Sequence, residues 1–243
     1  MKRVWLILLA ICMTVASRAA EIDAIVNGWL AHQTNVQTWA ADFTQTRTLK
    51  GLAQPLVSTG QVWFAAPQNF RWELGRDHTI AIRSNETMLV IYPRLKRAEK
   101  YNFENTGRSE WKDTLALLQS GFPQSRADLD RQFSSVGVTK TNDLVELHLE
   151  PKSAGARKMM PRINVLLQTN LTLAGTELVF VDGSRMRNEF VNVRTNAEVA
   201  GKFNLDVPTD FKLVEPMKGR KRWTRANWNA PCHCCRMGPN FDL

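Results

Sequence analysis

The residues best suited to metal chemistry lie near the C-terminus, where Cys232, Cys234 and Cys235 surround His233. Thiolate and imidazole groups are the ligands that zinc prefers in proteins. These four residues are contiguous, however, and no second pair follows at a spacing that lets a chain wrap a tetrahedral ion. We therefore predict no metal site and no cofactor, with the three cysteines as the only candidate ligands.

Catalytic motifs are missing from the rest of the sequence. The body of the chain has three histidines, His32, His78 and His148, and they are far apart. It has no zinc-protease motif, nucleophile elbow, phosphate-binding loop or dinucleotide fingerprint. Its carboxylates are scattered, and no pair is marked out for acid–base work. We therefore predict that the protein is not an enzyme.

The net charge of +9 suggests a polyanion as partner, but it lies mostly at the two ends of the chain. Residues 1–19 carry +3 and residues 216–243 carry +5, which leaves +1 for residues 20–215. A nucleic-acid-binding domain normally carries its basic residues on the folded body. We therefore expect no nucleic-acid partner.

The N-terminus has the three parts of a secretory signal peptide. Lys2 and Arg3 precede an apolar run, and Ser17 and Ala19 are small residues placed for cleavage after Ala19. We predict export to the periplasm with residues 1–19 removed. Cys12 leaves open a lipid-modified N-terminus, although the bulky Ile11 precedes it.

The pattern of residues 20–215 predicts one mainly β domain with a few helices. Apolar residues at helical spacing predict a helix over 21–39, and period-two alternation predicts antiparallel strands over 41–101. Helices are predicted at 109–119 and 125–132, and the Asp182-Gly183 pair predicts a hairpin. The further strands are predicted at 134–140, 144–150, 162–169, 172–181, 184–195 and 203–207.

About ten strands in one curved sheet would close, or nearly close, into a barrel. The fold class is therefore mainly β with helices (α+β), and the few helices are the elements that could fill the concave face of the curved sheet. Residues 216–243 are predicted to be a basic, disordered tail, and their Lys, Arg and Trp residues could contact an anionic membrane.

Binding is the remaining function, and large apolar side chains on one face of the sheet could form a lipid-sized pocket. Methionines suit such a surface because they are flexible, and Met159 and Met160 fall in a loop-like stretch. The candidate cavity and rim residues are Trp29, Phe43, Val62, Phe64, Phe70, Trp72, Leu74, Ile80, Ile82, Met88, Val90, Leu115, Leu118, Met159 and Met160.

The order of several short segments over about 21–215 resembles the periplasmic outer-membrane lipoprotein carrier (LolA-like) family. These segments are Ala41-Asp42-Phe43-Thr44-Gln45-Thr46, Thr59-Gly60-Gln61-Val62-Trp63-Phe64, Pro67, Phe70-Arg71-Trp72-Glu73, Leu89-Val90-Ile91-Tyr92-Pro93, Glu150-Pro151-Lys152, Asp182-Gly183 and Phe203-Asn204-Leu205-Asp206-Val207-Pro208.

The resemblance implies an unclosed antiparallel barrel with a helical lid over a hydrophobic cavity. It also implies an exported carrier that receives acylated lipoproteins from an inner-membrane ABC exporter and delivers them to an outer-membrane receptor. We expect the protein to be a monomer. The resemblance also places Phe70 at the cavity entrance. One departure concerns the lid: where the family often has an arginine before the proline, this chain has Ala66. Arg47 or Arg71 could take over its latch.

We therefore predict a carrier that shields the acyl chains of lipoproteins or related lipids. Two alternatives use the same fold. One is a regulatory module that senses lipids or lipoproteins, and the other is an anchored receptor, which Cys12 would permit.

Overall fold

The structure is a computed structural model. It describes residues 19–75, 79–102, 123, 125–141 and 143–216. The predicted signal peptide up to residue 18, the predicted helix at 109–119 and the tail beyond residue 216 lie outside the described residues.

Helix α1 covers residues 19–33 of the described chain. Ile25, Val26 and Trp29 form its buried side, as their helical spacing predicts. The helix ends about six residues earlier than predicted. Trp39 is buried as part of a strand instead, because its backbone pairs with Phe64 and Thr195.

The first half of the sheet is a six-stranded antiparallel meander, as predicted. Its strands are β1 (Thr38–Thr48), β2 (Leu56–Ala65), β3 (Asn69–Leu74), β4 (Ile80–Ser84), β5 (Thr87–Tyr92) and β6 (Arg97–Asn102). A short 3-10 helix, Pro93–Leu95, connects β5 to β6.

The second half contains two short helices and the remaining strands. The elements are α2 (Arg126–Gln132), β7 (Phe133–Lys140), β8 (Leu144–Pro151), α3 (Ala154–Met159), β9 (Arg162–Gln168), β10 (Leu173–Val179), β11 (Arg185–Thr195) and β12 (Lys212–Val214). The Asp182-Gly183 hairpin is confirmed: Gly183 has a φ of +87°, and Asp182 accepts a hydrogen bond from the Ser184 amide.

All twelve strands of the described chain form one strongly curved sheet in the order β12-β6-β5-β4-β3-β2-β1-β11-β10-β9-β8-β7. The first and last strands of this order are its edges, so the sheet is unclosed. The long β1–β11 pairing joins the two meanders. This confirms the predicted fold class.

The sheet buries apolar side chains on both faces. The larger cluster lies on the face covered by α1 and includes Trp29, Phe43 and Leu147. We call this the concave face. A smaller cluster of Ile82, Leu89, Ile91 and Ala98 lies on the opposite, convex face.

The C-terminal part of the described chain covers this second cluster. Leu205, Val207 and Phe211 pack against it. The strand predicted at 203–207 is therefore wrong, because that segment lies across the sheet face instead of joining it. The chain joins the sheet later, where β12 pairs in parallel with β6.

The stretch around Met159 and Met160 also differs from the prediction of a loop. Ser153 caps α3 by accepting a hydrogen bond from the Ala156 amide, and the helix ends at Met159. Met159 is 41% exposed, whereas Met160 is buried in the core.

Candidate functional site

A close aromatic contact lies at the centre of the concave face. The rings of Phe43 and Trp72 are 4.1 Å apart between centroids, although β2 separates their strands. Gly60 makes this contact possible, because a Cβ atom there would lie 2.4 Å from the Phe43 ring and 2.1 Å from the Glu73 carbonyl oxygen. The Phe43 ring thus lies across β2 and reaches β3.

Phe190 of β11 extends this aromatic group. Its ring lies edge-on to Trp39 at 5.0 Å and to Trp72 at 6.4 Å. Edge-to-face contacts of this kind each contribute about 0.5–1.5 kcal/mol beyond area burial. The group joins β1, β3 and β11 into one apolar floor.

Part of the concave face is accessible to solvent. Phe43 and Val62 are nearly fully buried, whereas other apolar side chains of the same face are only half-buried or exposed. These partly covered residues are Leu56, Trp72, Leu74, Tyr92, Phe180 and Met186. They lie toward the end of the sheet where β2 begins and β3, β5 and β10 finish, and there the site can accept an apolar ligand.

A small polar group interrupts this apolar face. The Gln45 amide donates to the Asn188 side-chain oxygen at 3.0 Å, and the Asn188 amide donates to the Thr176 hydroxyl at 3.2 Å. Gln45 and Asn188 are both buried. These paired groups fix the register of β1, β11 and β10 and present few free polar atoms to a ligand.

A second polar group lies on β6, the strand next to the edge strand β12. The Tyr101 hydroxyl donates to Glu99 at 2.5 Å, and Glu99 also pairs with Arg97. Burial, and then the hydrogen bond to Glu99, raises the pKa of Tyr101; burial and the Glu99 charge also raise the pKa of Tyr92. Both phenols therefore stay protonated at neutral pH, which does not favour a role as general base.

The indole N–H of Trp29 is an unpaired donor in the apolar core. The whole residue is inaccessible to solvent, and its Nε1 atom has no hydrogen-bond partner among the residues that the structure describes. A buried unpaired donor costs about 1–3 kcal/mol. Such an atom needs an explanation, for which a ligand carbonyl group is a candidate.

The structure brings most of the predicted cavity residues together. Trp29, Phe43, Val62, Phe64, Phe70, Met88, Val90 and Met160 belong to the concave core, and Trp72 and Leu74 pack against it. Leu115 and Leu118 lie outside the described residues, as do Cys232, Cys234 and Cys235.

Two predicted cavity residues lie on the wrong face. Ile82 and Ile80 belong to the convex cluster. Strand alternation explains the error, because Ala81 and Arg83 are the β4 residues opposite Trp72 and Phe70 and therefore share the concave face. Period two separates the two faces, but it does not say which one is concave.

Arg83 and Phe190 are concave-face residues that the sequence did not mark out. Arg83 is 7% exposed and donates to the Gln68 side chain and the Asn85 carbonyl oxygen. Burial lowers its pKa, and the charge of Glu86 partly offsets this. Cross-strand pairing shows that these two residues lie beside the site. In the sequence, the available signal for them was the alternation of apolar and polar residues in β4 and β11.

Arg71 cannot latch a lid over the concave face. It lies on the convex face, where it pairs with Glu73 at 2.5 Å and donates to the Lys202 carbonyl oxygen. Arg47 does share the concave face, since it lies opposite Met186. Of the two arginines suggested to replace the missing latch, Arg47 alone has a suitable position.

The described part of the chain lacks both a metal-binding cluster and a membrane-spanning helix. Its His, Cys, Asp and Glu side chains include no group of three that could hold a metal ion. None of its helices has the length and hydropathy needed to cross a bilayer.

The family model of the outer membrane lipoprotein carrier protein LolA matches residues 34–206. The match begins just before β1 and ends in the segment that covers the convex face. It therefore includes almost the entire curved sheet. No protein of curated function has a significantly similar sequence.

Three solved structures illustrate the structural similarity. A LolA superfamily protein from Nitrosomonas europaea is 8% identical with a TM-score of 0.41, covering 75% of this chain and 96% of its own. A putative outer membrane lipoprotein-sorting protein domain from Vibrio parahaemolyticus is 12% identical with a TM-score of 0.41, covering 74% and 95%. An uncharacterized conserved protein from Thermus thermophilus is 8% identical with a TM-score of 0.46, covering 79% and 98%.

Proposed function

The chain belongs to the outer membrane lipoprotein carrier family, and from this premise we propose that it is a non-enzymatic periplasmic carrier. Its cargo would be the acyl chains of lipoproteins or of related lipids, shielded on the concave face during transfer from the inner to the outer membrane. An inner-membrane ABC exporter and an outer-membrane receptor would be its partners.

One observation carries this proposal: the apolar concave face is continuous from the buried core to half-buried side chains at one end. Leu74 and Met186 are partly accessible while they pack against the core that contains Trp29. Each CH₂ group moved from water to an apolar site contributes about 0.8 kcal/mol. A carrier must bind and also release its cargo, and an only partly enclosed apolar surface suits both requirements.

The unpaired Trp29 donor supports an acyl ligand in particular. Ester- and amide-linked acyl chains carry a carbonyl oxygen at the end of an apolar tail. Such an oxygen could accept a hydrogen bond from the Trp29 N–H, which has no partner in the described part of the chain. A ligand of this kind would satisfy the core's unpaired donor and its apolar surface together.

The first experiment is to measure ligand binding by the mature protein. Mass spectrometry after gentle purification should detect bound acyl species, and a fluorescent fatty-acyl probe should bind and be displaced by a synthetic diacylated lipopeptide. Absence of both signals would contradict the proposal. Movement of the lipopeptide between two vesicle populations, accelerated by the protein, distinguishes a carrier from a sensor.

A matched pair of variants locates the site. Leu74→Glu places a charge on the accessible concave surface, whereas Val191→Glu places one at a 54% exposed position in β11. Val191 lies opposite Asp42 and next to the concave-face Phe190, so it faces the convex side. We expect Leu74→Glu to weaken probe binding at least about tenfold, or about 1.4 kcal/mol, and Val191→Glu to leave it unchanged.

A further inference from the structure

The exposed apolar side chains of this protein are concentrated at one end of the sheet. Ten large hydrophobic residues in the described chain are exposed. Six of them lie at the end where β2 begins and β5 and β10 finish: Leu52, Leu56, Val57, Leu95, Met159 and Val181. Scattered exposed apolar residues are ordinary, but a group at one end of a molecule indicates a contact surface.

Three neighbouring segments form the centre of this surface: the β1–β2 loop (49–55), α3 with its flanks (153–160) and the β10–β11 turn (180–184). The Lys50 amide donates to the Ser184 hydroxyl at 3.1 Å, and the Val181 amide donates to the Met159 carbonyl oxygen at 3.1 Å. These bonds join the segments into one surface, which we call the apolar rim. Leu52, Met159 and Val181 are 51%, 41% and 70% exposed on it.

The same end of the sheet is basic. Four of its connections, residues 49–55, 93–96, 152–161 and 180–184, contain six basic residues and one acidic residue. The basic residues are Lys50, Arg94, Lys96, Lys152, Arg157 and Lys158, and the acidic one is Asp182.

Part of this charge is neutralised nearby. Lys96 pairs with Asp210, and Arg157 lies 3.8 Å from Glu150. Arg157 also donates to the carbonyl oxygens of Pro151 and Lys152, contacts that leave its charge in place. An excess of positive charge therefore remains around the apolar rim.

The opposite end has a different character. Its described connections at 66–68, 85–86 and 169–172 and the described part of 141–143 contain Glu86 and Asp143 and no basic residue. The described connections at the two ends of the sheet therefore differ in the sign of their net charge. In the electric field of an anionic surface, this difference in charge favours the orientation in which the basic end faces the surface.

We propose that the apolar rim docks on the surface of an anionic phospholipid bilayer. Its exposed apolar side chains would enter the interface, and Lys50, Arg157 and Lys158 would lie near the lipid phosphates. A juxtamembrane Lys or Arg contributes about 1 kcal/mol at an anionic bilayer surface, and buried apolar area adds to this. An anionic bilayer fits better than a neutral protein surface, because it is complementary to the apolar and to the basic residues at once.

The rim also adjoins the accessible part of the concave face. Leu56 shares that face with Arg47 at the start of β2, and Phe180 is the first residue of the β10–β11 turn. Docking at this end would place the exposed concave surface next to the bilayer. The membrane contact itself does not depend on the proposed carrier function, and it holds for any ligand of the concave face.

The test is co-sedimentation of the full mature chain with vesicles of phosphatidylethanolamine and phosphatidylglycerol, with phosphatidylcholine vesicles for comparison. The triple variant Leu52→Ser, Met159→Gln, Val181→Ser removes the apolar contacts, and Lys50→Gln with Lys158→Gln removes two charges. Val191→Ser with Val193→Ser is the matched control, since those side chains are 54% and 44% exposed on β11.

We expect the triple variant to lose at least about tenfold in partitioning to anionic vesicles. The charge variant should bind more weakly and show less dependence on salt. The control should bind like the wild type, and all chains should share one unfolding midpoint, because the changed side chains are exposed. The unchanged tail beyond residue 216 contributes equally in every chain.

Wild-type binding by the triple variant would overturn the proposal. Equal affinity for neutral and anionic vesicles would also overturn it. A wild-type chain that binds no vesicles would reject a membrane partner and make the rim a protein contact. Acyl-probe binding by the charge variant, Lys50→Gln with Lys158→Gln, should stay normal because neither lysine belongs to the proposed cargo site, so failure of this proposal is distinguishable from failure of the carrier function.

Discussion

Gly60 is the residue on which the centre of the concave face depends. Its missing side chain leaves room for the Phe43 ring, which then reaches Trp72 across β2. The constraint on the other side is backbone, the Glu73 carbonyl oxygen, which cannot move without breaking the β2–β3 pairing.

We predict that Gly60→Ala destabilises the protein by about 2–4 kcal/mol, because the new methyl group overlaps the ring and the backbone oxygen. Gly137→Ala is the control. Gly137 also lies in a strand, but the nearest atom to its added Cβ is 3.4 Å away in the His148 side chain. Urea unfolding would measure both, and equal stabilities of the two variants would contradict the argument.

Asp42 joins three strands from the convex side. It accepts hydrogen bonds from Asn192 of β11 at 2.8 Å and from Gln61 of β2 at 2.7 Å. These bonds, the Asn192 bond first, lower the pKa of the Asp42 carboxyl, and the charge of Arg194 adds to the effect.

We therefore expect Asp42 to stabilise the fold in a pH-dependent way. Because its folded pKa is below the ordinary value of 3.8, the stabilisation is present above the unfolded pKa and is lost as the pH falls through the folded pKa. The difference in urea midpoint between wild type and Asp42→Asn should shrink between about pH 6 and about pH 3. A difference that stays constant over this range would show that the carboxylate charge plays no part.

Among the elements, α1 and β1 are positioned by the end of β11. Asn196, just after β11, accepts a hydrogen bond from the Gln37 amide at 2.9 Å and donates to the Asn35 carbonyl oxygen at 3.1 Å. Its φ of +52° lies in the left-handed region, a conformation that asparagine tolerates better than most residues. One side chain thus holds the turn that directs α1 across the concave face.

We predict that Asn196→Ala costs about 2–3 kcal/mol, since it loses these bonds and strains the backbone by about 1–2 kcal/mol. Asn196→Gly loses the same bonds without the strain, and it should be the more stable of the two variants. Thermal unfolding followed by circular dichroism would measure the order. Alanine at least as stable as glycine at this position would contradict the assigned backbone strain.

The whole molecule has two apolar faces with different roles. The concave face is only partly covered and is the proposed cargo site. The convex cluster is covered by the chain itself through Leu205, Val207 and Phe211. Lys202 anchors the same segment by lying 4.2 Å from the ring centroid of Trp63.

A substitution at Ile82 tests whether the convex cluster stabilises the fold without contributing to cargo binding. Ile82 is 1% exposed and belongs to that cluster. Ile82→Ala should destabilise the fold by about 2–5 kcal/mol through the cavity it leaves. The folded variant should bind the acyl probe with wild-type affinity, in contrast to Leu74→Glu. Weaker probe binding by fully folded Ile82→Ala would show that the convex cluster contributes to the ligand site.

Local sequence patterns by themselves determined most of the element types, most of their order and the fold class. Period-two alternation identified the strands of both meanders, Asp182-Gly183 identified a hairpin, and helical spacing identified α1. These signals are reliable because they depend on neighbours a few residues apart. The segment order pointed to the carrier family, and the family match over 34–206 bears this out.

Only the tertiary structure decided which residues share a face and which strands are neighbours. Alternation could not show that Ile82 faces the convex side, that Phe190 meets Trp39, or that residues 203–207 cover a face while β12 pairs with β6. Each of these facts depends on pairing between residues far apart in sequence. A one-residue change of register would reverse every side chain of a strand, so the ligand face is set by contacts across the sheet.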